Sequence, residues 1–244
     1  MWPQGRIPVK MKEAFWNSIA AYNSATWIWQ IAMAVVAAVL PALLWFRPKE
    51  WVKTVTKLYM AAVSLWIAFV YYMKYGAVRD YSNVMTIFWC LVALSWIYDL
   101  ATRFSSFRKS GKYSAIGLAI LVLPLAYPFI SVSRGLEFPQ ITTPMIPSGV
   151  ALYMLGMLMT FNRKINFFAF LLVMHWSVIA ISKIAIFKIP EDALLAAACI
   201  PSMVIFFLQM LKDAGQSSFK PSGKYVKTLI YAVAVLLAGC MAVA

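Results

Sequence analysis

The sequence predicts an all-α fold, a polytopic transmembrane bundle of about eight helices preceded by a short N-terminal interfacial helix. Three observations carry this. Hydrophobic residues make up 63% of the 244 and charged residues only 12%, against roughly a quarter charged in soluble domains, so water is not the main solvent of this chain. The apolar residues fall into eight separate runs bounded by Lys or Arg, most of them near the roughly 20 residues that cross a hydrocarbon core. The runs are continuously apolar instead of alternating, which favours helices, whose backbone hydrogen bonds close within the segment, over a barrel.

Residues 1–26 form the N-terminal segment. Within it Met11, Phe15, Ile19 and Tyr22 recur at helical spacing against Lys12, Glu13, Asn17 and Asn23, the pattern of a helix lying in the membrane interface. Residues 27–244 form the transmembrane domain, with spans at approximately 27–46, 58–73, 84–101, 114–132, 147–161, 165–187, 193–211 and 228–244. The first span exceeds a signal-peptide core and runs into Arg47, Pro48 and Lys49 instead of a small-residue cleavage site, so it is expected to be retained. Trp27, Trp29, Trp45, Trp51, Trp66 and Trp89 lie near proposed ends, where indole rings prefer the headgroup boundary; Trp176 is the exception.

Of the 22 Lys and Arg, 14 fall in the first, third, fifth and seventh connections and 8 elsewhere. Those four connections should face the cytoplasm, leaving both termini outside. The formal charge of +14 therefore reads as topology and lipid-headgroup contact, with the bilayer as partner and no nucleic acid. Cys90, Cys199 and Cys240 lie inside apolar runs without C-x-x-C spacing, which points to packing and to neither a disulfide framework nor a metal. Ser110-Gly111-Lys112-Tyr113 recurs as Ser222-Gly223-Lys224-Tyr225; positive-inside turns explain this more simply than a duplication of two halves. Neither copy has the upstream glycine of a phosphate-binding loop, since Ser106 and Ser218 stand there.

Few residues suggest chemistry. His175, the only histidine, falls near the middle of the sixth span beside Trp176, where an ionisable group is a candidate functional residue and, equally, a hydrogen-bonding tie between helices. Lys183 lies about a turn from that span's end and is read as extending its stem toward the surface, in preference to pairing with Glu191 or Asp192. Those two acids follow Pro190 and suit the start of the seventh span. Asp99 and Arg103 are four apart and fit a local ion pair. Ser148-Gly149 with His175 lacks the glycine two residues upstream that a serine hydrolase element would carry, Ile146 being there. Ala234, Ala238 and Ala242 give the last span a small-residue face for close helix contact.

Prolines mark one more feature. Pro124 and Pro128 interrupt the fourth span, and Pro139, Pro144 and Pro147 punctuate residues 133–148, which also carry Arg134, Glu137, Gln140, Thr142 and Thr143. An external loop is the simpler reading. A loop dipping into the bundle would mark a pocket, because non-helical backbone at membrane depth is tolerated only where protein or a wet cavity surrounds it.

Phe15, Tyr22-Asn23, Trp27 and Gln30 form an F…YN…W..Q pattern, followed in order by Trp66, Tyr71-Tyr72, Tyr127-Pro128, Phe138-Pro139, the stretch Thr142 to Pro147, and Trp176 through Pro190-Glu191-Asp192. Over most of its length the chain resembles a family of uncharacterised bacterial multi-pass membrane proteins that share these elements. The resemblance implies a bacterial membrane bundle of unknown activity and supplies no reaction and no cofactor; with the Lys and Arg count, the expectation is an inner-membrane protein with both termini periplasmic. A histidine usual in the family is Tyr72 here, and its Cys-Pro-Thr-Thr element is absent, which removes the residues a metal or redox role would rest on. The matched positions gather on the outer side, where Tyr22, Asn23, Trp27, Gln30, Tyr127, Thr142, Thr143, His175, Trp176, Lys183, Glu191 and Asp192 are expected to form an aromatic and polar site for a small solute. The alternative is a non-catalytic subunit or homo-oligomer packing against membrane-protein partners through aromatic and small-residue faces.

Overall fold

A computed structural model describes residues 9–103, 105–107, 113–164 and 166–216. The chain is helical, and six of its helices are long and apolar enough to cross a membrane. The expected eighth span, 228–244, and the second Ser-Gly-Lys-Tyr copy lie outside the described residues. In order the helices are α1 (Val9–Phe46), α2 (Glu50–Trp66), α3 (Ser82–Thr102), α4 (Ser114–Val122), α5 (Ala126–Ser133), α6 (Pro147–Phe161), α7 (Phe167–Phe187) and α8 (Ala193–Gln216). A π-helical stretch, Ile67–Lys74, extends α2; the 3-10 turn Leu123–Leu125 joins α4 to α5 at Pro124.

The N-terminal segment is not a separate interfacial helix. α1 runs through residue 26 without a break for 38 residues, about 57 Å at the helical rise, and its amphipathic stripe faces protein. Phe15, Ile19 and Tyr22 are buried, with Phe15 stacked 4.4 Å from Phe187 at the end of α7. Interface and protein interior select the same 3.6-residue periodicity, so the pattern alone does not separate them.

α6 is the centre of the fold. All its residues are buried, and α2, α4, α7 and α8 pack around it. Its 15 residues span about 22 Å, short of the about 30 Å of a hydrocarbon core. A helix surrounded by others is apolar on every side, which is why it reads like a lipid-facing span. α4 crosses it at two glycines: a Cβ on Gly117 would stand 2.5 Å from the Thr160 nitrogen, and one on Gly156 would stand 2.5 Å from the Leu121 Cα. Backbones this close need residues without side chains.

At the basic end of the bundle, Lys57 of α2 pairs with Asp99 of α3 at 3.3 Å and donates to the Ser105 carbonyl at 2.9 Å. Asp99 also accepts from the Ser105 amide at 2.7 Å and from its hydroxyl. The carboxylate thus belongs to Lys57, 42 residues away, while Arg103 is exposed with a left-handed φ of 51°. Beyond it, β1 (Ser106–Phe107) pairs antiparallel with β2 (Asn162–Lys164), and Asn166 caps α7 through the Ala169 amide at 3.0 Å. Trp27, Trp29 and Trp51 are exposed as expected, but Trp89, Trp96 and Trp176 are core residues.

Gly156→Ala and Gly117→Ala each force two backbones apart, and each is expected to destabilise the bundle by about 1–3 kcal/mol, read as a lowered midpoint of unfolding in a detergent and SDS titration.

Candidate functional site

The site begins on one face of α1. Tyr22, Asn23, Thr26 and Gln30 recur at helical spacing and all point into protein, where each is buried. The Asn23 amide donates to the carbonyls of Pro139 and Ile141 at 2.8 and 2.7 Å, and Tyr22 donates to the Met145 carbonyl at 2.9 Å. Gln30 donates to Asn23 and Thr26 at 3.1 and 3.0 Å and accepts from Thr143 at 2.7 Å. Trp66 completes the set with a 3.0 Å bond to the Tyr22 hydroxyl. Two side chains, Asn23 and Tyr22, therefore supply partners to three carbonyls of a non-helical backbone, and Gln30 holds the Thr143 hydroxyl. Gln30 lies 16 residues before Phe46, about 24 Å along the helix, and Thr143 meets it there, with Thr142, Met145 and Ile146 of the loop buried. The proline-rich connection dips into the bundle.

Its far side is fastened to the start of α8. Ser131 of α5 donates to Glu191 at 2.6 Å and shares a 2.7 Å bond with Thr142, whose amide donates back to Ser131 at 3.0 Å. Arg134 grips both Glu191 oxygens at 3.2 and 3.0 Å and the Lys188 carbonyl at 2.7 Å. The Thr142 hydroxyl donates onward to the Tyr127 carbonyl at 3.3 Å.

Beside this lies a second buried pair. Lys183 of α7 meets Asp192 at 2.8 Å and donates to the Ser148 hydroxyl at 3.1 Å, at which the Trp176 indole also points from 3.3 Å. The Lys183 stem does not reach out to the surface, because a carboxylate and a hydroxyl within the protein take its charge. Pro190–Asp192 forms the 3-10 turn that opens α8, so its two acids begin a helix and also hold Arg134 and Lys183. Two polar atoms in this region are left over: the Tyr127 hydroxyl faces Asp192, yet neither it nor the second oxygen of Asp192 has a hydrogen-bond partner.

A buried cation flanks the cluster. Arg79 lies among the rings of Phe15, Tyr71, Tyr72 and Tyr81, its guanidinium carbon 4.9 to 5.8 Å from their centroids, and donates to the Tyr71 carbonyl at 3.2 Å. Among the described residues no carboxylate pairs with it, so aromatic faces and carbonyls balance its charge. Burial pushes the Tyr81 hydroxyl up to about 12, with Arg79 pulling the other way. The π-helical stretch brings consecutive Tyr71 and Tyr72 inward together, rings 4.9 Å apart; such π segments gather at functional positions.

Of the residues singled out in the sequence, Tyr22, Asn23, Gln30 and Thr143 converge on the dipping loop, and Tyr127, Thr142, Trp176, Lys183, Glu191 and Asp192 converge beside it. Two stand apart. Trp27 is half exposed at the edge of the α1 face that carries the cluster, and His175 is half-buried with its ring 5.8 Å from Phe88. Ser131, Thr26 and Arg79 complete the cluster without a sequence signal of their own, joined by Arg134 of the proline-rich loop and by Ser148, which the sequence offered only as half of a dyad with His175. Ser148 meets Lys183 and Trp176 instead of completing a dyad with His175. Among the described residues there is no group of His, Cys, Asp and Glu able to hold a metal ion.

A family profile described as a family of unknown function (DUF6064) matches residues 12–217. No curated protein and no solved structure matches the chain.

Two outcomes follow from the buried pairs. Lys183→Met leaves Asp192 uncompensated and is expected to lower stability by about 3–5 kcal/mol, while Lys183→Met combined with Asp192→Leu recovers most of it; unfolding in detergent measures both. Asn23→Ala strands two loop carbonyls, and limited proteolysis should then cut faster between Arg134 and Thr143, with about 1–3 kcal/mol of stability lost.

Proposed function

The chain belongs to the DUF6064 family of unknown function, and we propose that it is a multi-pass membrane protein that holds a small polar solute in an occluded site between Tyr127 and Asp192, beneath the dipping loop. The orientation that places the basic connections in the cytoplasm opens this site outward, toward the periplasm. The observation that carries the reading is the pair of unmatched polar atoms. A buried hydroxyl and a buried carboxylate oxygen that lie within reach of each other yet form no bond of good geometry leave both groups under-matched, and an apolar interior makes each unmet group expensive. A molecule that accepts from Tyr127 and donates to Asp192 satisfies both. A shallow depression of about 320 Å³ over Phe138, Pro139 and Gln140 lies against Ala20 of α1, on the loop that covers the site, and displacement of that loop is the proposed entry.

A second reading, a subunit that packs against partner membrane proteins, draws on α1, whose most apolar window is 28% buried against 50% for those of Glu50–Lys74 and Phe167–Phe187. Partners that stay bound through purification in mild detergent favour it.

Thermal unfolding of the purified chain against a panel of amino acids, sugars and polyols tests the solute site. Some members are expected to raise the Tm of the native chain and to lose that effect in Tyr127→Phe and Asp192→Asn. No shift with any compound, or a shift indifferent to both residues, contradicts the reading.

A further inference from the structure

Away from the polar cluster, a cleft of about 400 Å³ opens sideways between α1 and the α4–α6 pair. Ala34, Ala38 and Ala42 form its floor on α1, with Leu118, Val122 and Tyr153 opposite, and Ala38 and Ala42 are exposed within it. It follows α1 from Ala34 to Phe46, about 18 Å at the helical rise, close to one leaflet of a core about 30 Å thick. Its volume over that length leaves a cross-section of about 22 Å², one hydrocarbon chain wide. A slot of that depth, width and apolar lining in a membrane-facing wall suits an acyl chain.

The charge at its mouth decides which lipid. Phe46 closes one end, and Arg47 and Lys49 follow directly, both exposed. The other two cations of this connection are already engaged, Lys53 with Glu50 and Lys57 with Asp99. Among the described residues no carboxylate pairs with Arg47 or Lys49, so two free cations stand where a phosphate would lie.

We propose that the cleft is a binding slot for one acyl chain of an anionic phospholipid, whose phosphate rests on Arg47 and Lys49. The cleft reaches Pro144 and Met145 of the dipping loop, but neither Tyr127 nor Asp192 lines it, so the lipid slot and the solute site can fail separately.

Native mass spectrometry of the chain released from vesicles of phosphatidylglycerol or phosphatidylcholine tests it. One retained phosphatidylglycerol is expected, with phosphatidylcholine retained far less. Arg47→Gln and Lys49→Gln should each weaken retention by about fivefold. Ala38→Trp fills an exposed position in the slot and should abolish retention with the unfolding midpoint unchanged. Equal retention of both lipids, or an adduct that survives Ala38→Trp, overturns the proposal. So does a dimer that Ala38→Trp dissolves, which assigns the cleft to a second copy. Neither adduct nor dimer in the native chain assigns it instead to the chain's own residues 228–244.

Discussion

A polar group inside apolar surroundings must find a partner within the protein, and this constraint organises one whole end of the molecule. The connection between α5 and α6 is rich in proline and runs without helical hydrogen bonds through the depth where Gln30 lies. Its carbonyls are met by Asn23 and Tyr22 and its Thr143 hydroxyl by Gln30. Without that strip of α1 the loop would have to leave the bundle for water, and α6 would lose the cover over its first turn. The motif Tyr22, Asn23, Gln30 is therefore a fastening for backbone located more than 100 residues later.

The same constraint shapes the charges. Arg134 with Glu191 and Lys183 with Asp192 are two pairs on adjacent acids, each supplemented by a hydroxyl from another helix, Ser131 or Ser148. Pairs of this kind contribute little net stability once desolvation is counted. They fix geometry instead, locking α5, α6, α7 and the start of α8 into one arrangement around Tyr127. Arg79 solves the problem differently, since aromatic faces stand where a carboxylate would. Among the described residues five buried side-chain polar atoms lack a partner, on Trp89, Trp96, Tyr127, Tyr153 and Asp192, and of these the Tyr127 hydroxyl and the Asp192 oxygen lie together.

Helices were legible in the sequence because a bilayer core imposes a length on apolar runs. Their roles were less so. α6 has the hydropathy of a lipid-facing span because lipid and protein interior ask for the same residues, and its shortness is the only signal that it sits inside. The split of α1 at residue 26 was suggested by the alternation of Met11, Phe15, Ile19 and Tyr22 with Lys12, Glu13, Asn17 and Asn23, a stripe that faces protein with no break in the helix. Lys183 found Asp192 nine residues on, and Lys57 found Asp99 across 42; partners at such separations carry no local pattern. Arg79 was counted as a loop charge that sets topology, and only packing shows it caged. Most of the candidate site was legible through the family-like motif, whereas Ser131 was hidden because a lone serine in an apolar run looks like filler, and Ser148 was weighed with His175 when its partners are Lys183 and Trp176.

The account stands on the unmet hydrogen-bonding capacity of Tyr127 and Asp192. A high-resolution density map of the protein in lipid nanodiscs tests it most directly: a non-protein feature larger than one water, within hydrogen-bond distance of both the Tyr127 hydroxyl and the free Asp192 oxygen, is the predicted result. A direct Tyr127–Asp192 hydrogen bond, with no room between the two side chains, would contradict it.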